Sequence, residues 1–210
     1  MKRSSGRSDE VASVPAVGYE VVVIGTSWGG LAALRQVVAV LPTDFGIPVA
    51  VVQHRHRDSD ALLARFLQGL TPLRVCEVED KQPIEAGRVF VAPANYHMLV
   101  ERGHFALSTE GPVRHSRPSI DVALASAADA YGHRAVGVVL TGANADGAEG
   151  LRRLADGGGM AVVQDPVTAE ASTMPTAAIR RVPQARVLPI DRIGAFLGSL
   201  PPVVFTARGE

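Results

Sequence analysis

Three short loops of this 210-residue chain carry a serine, a histidine and an aspartate at comparable places. Gly25-Thr26-Ser27-Trp28-Gly29-Gly30 offers a hydroxyl. Gln53-His54-Arg55-His56-Arg57-Asp58 offers an imidazole. Leu140-Thr141-Gly142-Ala143-Asn144-Ala145-Asp146-Gly147 offers a carboxylate. A serine is a poor nucleophile until a base takes its proton, and an imidazole base needs a partner to fix its tautomer. Ser27, His54 and Asp146 could fill the three roles of an acyl-transfer site. Each also has a plainer role: Ser27 or Asp146 as a helix cap, His54 as a polar loop residue. Their joint placement is what favours catalysis.

Other chemistries compete for the same residues. Gly25-x-Ser27-x-Gly29 matches the nucleophile elbow of α/β-hydrolases, but that elbow follows a middle strand, whereas here it follows the first. The dinucleotide fingerprint fails because Ser27 holds the place of its second glycine, and a Walker A loop fails for want of Gly-Lys-Ser/Thr. His54-x-His56-x-Asp58 resembles a metallo-hydrolase run whose final histidine is replaced by Ser59, so a metal-dependent hydrolase stays open as an alternative. A non-catalytic binding module of the same fold is a second one.

The elements that must position these loops are legible as alternating patterns. Residues 19–24, 47–52, 74–78, 87–91, 135–140 and 160–164 read as strands, mostly of the type covered on both faces. Helical spacing follows at residues 31–41, at 61–70 with Asp60 as cap, at 119–132 starting from Ser119, at 148–156 closed by the triple glycine 157–159, and from Pro175. A short strand near Val187 and a helix over residues 192–197 complete the pattern. Residues 97–101 and 104–108 flank Arg102-Gly103 as a β-hairpin, with His97 and His104 expected exposed. Cys76 and Val78 share a strand face, which places Cys76 in the core. The fold class is α/β: a doubly wound, mostly parallel sheet with helices on both faces and a small antiparallel hairpin. Ligands of such sheets sit beyond the carboxyl ends of the strands, where all three loops fall.

Composition sets the limits. Hydrophobic residues make up 47%, enough for a core. Lys+Arg and Asp+Glu are both 21, so nothing favours nucleic acid as a partner. The single cysteine, Cys76, excludes an intrachain disulfide and a multi-cysteine zinc site. No segment reads as a signal peptide or membrane insertion, so the expectation is a cytoplasmic protein, monomeric, with tails at residues 1–18 and 201–210 around a domain at 19–200.

Taken in order, VVVIGTSWGG, VAVVQHRHR, IEAGRVFVAPANYHMLV, HSRPSIDVALASAA, GVVLTGANADGAEGL, AVVQDP and STMPTAAI make the chain similar to the catalytic domain of the CheB-type chemotaxis methylesterases over residues 19–199. The resemblance implies hydrolysis of glutamate γ-methyl esters on methylated chemoreceptor-like proteins, with deamidation of certain glutamines as a further activity. It implies Ser27 as nucleophile, His54 as base and Asp146 as acid, with no metal or organic cofactor. Pocket and oxyanion contacts fall on Trp28, Gly29 and Ala143. Two positions depart from the family: Trp28 stands where threonine is frequent, and Ala143 where methionine is usual. Arg55 and Arg57, beside His54, are expected to dock an acidic receptor surface. A receiver domain of about 120 residues does not fit in the 18 residues before the first strand. Control by phosphorylation of an own receiver is therefore not expected.

Overall fold

The computed structural model describes residues 18–56 and 62–203. Seven parallel strands form the main sheet: β1 (Val21–Thr26), β2 (Val49–Gln53), β3 (Arg74–Glu77), β4 (Arg88–Val91), β7 (Ala135–Val139), β8 (Met160–Gln164) and β9 (Arg186–Leu188). Their order is β3-β4-β2-β1-β7-β8-β9. β5 (His97–Glu101) and β6 (His104–Ser108) pair antiparallel as a separate hairpin.

The strand side chains divide between two cores because successive residues point to opposite faces. Val22, Ile24, Val49, Val51, Val136 and Val138 face one way, under α1 (Gly30–Val38), α2 (Leu62–Gln68) and α6 (Ile190–Gly198). Val21, Val23, Ala50, Val52, Val139 and Val163 face the other, under α3 (Ile120–Tyr131), α4 (Ala148–Asp156), α5 (Thr173–Arg181) and the hairpin. Both faces are covered, so each central strand is apolar throughout, as its sequence foretells.

β1 runs to Thr26 rather than stopping near Ile24, because Gly25 and Thr26 stay in register with Val52 and Gln53 of β2. The chain lays β2 on one side of β1 and returns with β7 on the other. The crevice beyond their carboxyl ends is therefore the switch point at which such sheets take ligands.

Three expectations are corrected. His97 is buried: the hairpin packs against α3, where Nδ1 accepts from the Ser119 N–H at 3.2 Å and Nε2 donates to the Gly111 carbonyl at 3.1 Å. His104 is half-buried rather than open. Cys76 sits at the margin of the second core, partly buried, with Gln82 Nε2 3.3 Å from its sulfur. Residues 201–203 return to the start of β1: Tyr19 donates to the Pro201 carbonyl and accepts from the Val203 N–H. The tail expected at 1–18, except Gly18, and the Asp60 cap lie outside the described residues. No helix among the described residues is long and apolar enough to cross a membrane.

Candidate active site

Backbone bonds bring the three loops together at the end of the sheet. The Ser27 N–H donates to the Thr141 carbonyl at 2.9 Å, and the His54 N–H to the Thr26 carbonyl at 3.0 Å. Thr26 Oγ1 also donates to the Thr141 carbonyl, at 3.0 Å. Gln53, the last residue of β2, donates Nε2 to the carbonyls of both Ser27 (2.9 Å) and His54 (2.8 Å). Thr141 Oγ1 donates to the Trp28 carbonyl at 2.9 Å, and its N–H to Gln164 Oε1 at 2.8 Å. The strand ends are thus polar but buried, and the hydroxyls of Thr26 and Thr141 and the Nε2 of Gln53 hold the loops.

His54 Nε2 and Asp146 Oδ2 are 2.8 Å apart, with Asp146 fully buried. An ionised carboxylate accepts, so Nε2 carries the proton and Nδ1 the lone pair. Nδ1 faces Ser116 Oγ and Asn144 Nδ2, each at 3.5 Å, the outer limit of a hydrogen bond. Asp146 does not cap the helix that follows it. It caps α3: Oδ2 accepts from the Ile120 N–H at 2.8 Å, Oδ1 from the Asp121 N–H at 3.0 Å and from Ser119 Oγ at 2.9 Å. Burial pushes the Asp146 carboxyl up, yet the His54 hydrogen bond and the Ile120 and Asp121 N–H groups outweigh it and hold the carboxyl below its ordinary value. Burial raises neighbouring Asp121, opposed by the Gly150 N–H and reinforced by the charge of Asp146.

Ser27 and His54 line one cleft of about 540 Å³, together with Trp28, Gly29, Gly30, Leu31, Ala32, Gln53, Ala143 and Glu170. Ser27 does not cap α1; that place falls to Gly29, in the left-handed conformation at φ 77°. The N–H groups of Trp28, Gly29 and Ala143 have no acceptor among the described residues, which leaves donors at the cleft for a developing oxyanion. No hydrogen bond joins Ser27 Oγ to His54 here. Such contacts in unliganded hydrolases often tighten only with substrate.

Among the described residues the sequence-derived set meets in one place, with one exception. Arg55 is turned away from the cleft: its side chain is 9% exposed, and Nη2 donates to Glu77 Oε2 at 2.6 Å and to the Ala92 carbonyl at 2.7 Å. It braces β2 against β3 and β4 and is not an open docking cation. Arg57 and Asp58 lie outside the described residues; His56 is exposed. No group of three metal-ligating side chains occurs among the described residues. Ser119, Gln53 and Glu170 were not singled out for the site by their sequence pattern. Only the position of Gln53 beside His54 could have pointed to it.

Residues 22–197 match the CheB methylesterase family. The chain belongs to that family. A Leptospira interrogans relative is 45% identical over 178 residues, 84% of this chain and 92% of its own length. Protein-glutamate methylesterase/protein-glutamine glutaminase 2 of Anaeromyxobacter dehalogenans is 43% identical over 191 residues, 91% of this chain but 56% of its own. Protein-glutamate methylesterase FrzG of Myxococcus xanthus is 38% identical over 184 residues, 87% of this chain and 55% of its own. The CheB methylesterase catalytic domain of Thermotoga maritima superposes with a TM-score of 0.82 at 32% identity, covering 86% of this chain and 98% of that one. The chain therefore spans almost all of the Leptospira relative and about half of the other two. The CheB fold matches the architecture expected from the sequence, hairpin included.

Proposed function

We propose that this chain is a serine hydrolase that removes methyl esters from glutamate side chains of methylated, chemoreceptor-like proteins, and deamidates glutamine side chains by the same route. The observation that carries the reading is the 2.8 Å bond between His54 Nε2 and buried Asp146, in a CheB-family domain whose cleft is shared by His54 and Ser27. His54 Nδ1 takes the Ser27 proton as Oγ attacks the ester carbonyl. The N–H groups of Trp28, Gly29 and Ala143, near the start of α1, receive the oxyanion. The ester C–O bond breaks, and methanol leaves with the proton from His54. Water, deprotonated by His54, then opens the acyl-enzyme to free glutamate and Ser27. Asp146 stays ionised and stabilises the imidazolium. For glutamine the leaving group is ammonia. The same reading makes the protein a monomer acting in the cytoplasm.

Methanol release from a peptide bearing a glutamate γ-methyl ester tests it. Ser27→Ala is expected to lower turnover at least about a thousandfold with an unchanged circular dichroism spectrum, and a chelator is expected to leave the unmodified chain active. Near-normal turnover in Ser27→Ala overturns the serine mechanism. Loss of activity in chelator would favour the metal-dependent alternative at His54, His56 and Asp58.

A further inference from the structure

The lip of the cleft beside Ser27 is apolar and uncovered. Trp28 is 67% exposed and Leu31 52% exposed, and both line the cleft with Ala32. The next exposed positions along α1 are polar, Arg35 and Gln36, while Ala33, Leu34, Val37 and Val38 hold the helix to the sheet. Apolar exposure in the body of α1 is thus confined to the turn that meets the nucleophile loop. The Trp28 backbone is fixed by Thr141 Oγ1 at 2.9 Å, so its indole stands in solvent from an anchored base. A large ring left in water at such a place gains when something covers it.

Across the lip stands a carboxylate. Glu170 lies directly over Gly29: a β-carbon on Gly29 would sit 2.7 Å from Glu170 Cβ and 2.8 Å from Oε2. Glu170 lines the same cleft, is exposed, and has no ion-pair partner among the described residues. An acidic residue beside the ester would meet repulsion there, whereas a cation would be drawn in.

We infer that the cleft chooses its substrate by the residues flanking the ester: a large apolar side chain that covers Trp28 and Leu31, and a lysine or arginine that pairs with Glu170. This rests on the hydrolase reading above and adds the sequence preference to it. It also replaces the acid-seeking surface expected at Arg55, whose guanidinium is bonded to Glu77.

The test uses the full chain as Ser27→Ala, titrated with equal-length peptides that carry a central glutamate γ-methyl ester. A leucine and a lysine are scanned over the four positions on either side. Trp28 is the only tryptophan, so its emission reports contact at the lip directly. The best leucine position is expected to blue-shift that emission, and serine in its place to weaken binding about tenfold. Exchanging the best lysine for glutamate should weaken binding about threefold at low salt, less with added salt. Glu170→Lys should reverse that lysine–glutamate order. By calorimetry, Trp28→Phe should keep the leucine preference and Trp28→Ser should level it. Equal affinities at every position, or an order that Glu170→Lys leaves unchanged, overturn the inference. Methanol release from all of these peptides by the unmodified chain is measured alongside. Its absence overturns the hydrolase reading, while the peptide ranking still decides the surface.

Discussion

Five donors close around the carboxylate of Asp146: His54 Nε2, Ser119 Oγ, and the N–H groups of Ile120, Asp121 and Gly147. One side chain therefore orients His54 and caps α3. An asparagine there would turn an N–H₂ group towards some of these donors and fail to fix the Nε2–H tautomer of His54. Asp146→Asn is expected to lower turnover about ten-thousandfold and to destabilise the chain at neutral pH by about 1–3 kcal/mol. The pH dependence has a definite sign. A carboxyl held below its ordinary 3.8 when folded contributes stability that is complete above that value. That stability is lost as pH falls through the lowered value. Asp121, raised by burial, acts in the opposite direction and offsets part of the loss. Urea unfolding at pH 7 and at pH 3 should show the gap between the unmodified chain and Asp146→Asn narrowing in acid. A gap that stays constant or widens would contradict this account.

At the next scale, the ends of β1 and β2 are tied by one amide. Gln53 is buried and grips the carbonyls of Ser27 and His54, so the Ser27 loop and the His54 loop are tied to each other. Gly30 makes room for it: a β-carbon there would stand 2.0 Å from Gln53 Oε1 and 2.7 Å from Thr26 Oγ1. Gln53 Oε1 has no hydrogen-bond partner among the described residues, and its neighbour is the first residue of α1, whose positive dipole end favours an oxygen. Gln53→Leu is expected to leave the His54 carbonyl without a donor and the Ser27 carbonyl with the Gly30 N–H alone, cost about 1–3 kcal/mol, and lower kcat while KM changes little. Gly30→Ala should reproduce the kcat loss by pushing Gln53 aside. A normal kcat in both variants would show that the tie does not matter. The central strands and their terminal loops were legible in the sequence because each of these strands is largely apolar on both faces and stops at a polar turn. The hairpin was legible from Arg102-Gly103. Strand order was not: β4 inserts between β2 and β3, and parallel pairing leaves no local turn to read. The capping of α3 by Asp146, the pairing of Arg55 with Glu77 and the burial of His97 against Ser119 were likewise hidden. Each joins residues more than twenty positions apart.

On the scale of the whole molecule, one sheet divides two cores. Leu34 of α1 is buried in the first. Phe105 of the hairpin is buried in the second, its ring centroid 4.9 Å from that of Phe90 on β4. Since every central strand sends side chains into both layers, neither core can melt while the other keeps its sheet. The chain should therefore unfold as a single cooperative unit. Leu34→Ala is expected to cost about 2–5 kcal/mol and Phe105→Ala about 3–5 kcal/mol. The two residues share no partner across the sheet, so the double variant should lose the sum to within about 0.5 kcal/mol. Urea unfolding must be followed by far-ultraviolet circular dichroism and by residual ester hydrolysis. The lone tryptophan is already in solvent and reports the core poorly. Coincident midpoints and additive losses are the expected result. Two separated transitions, or a double variant more than about 1 kcal/mol from the sum, would mean that the hairpin face folds as a unit of its own.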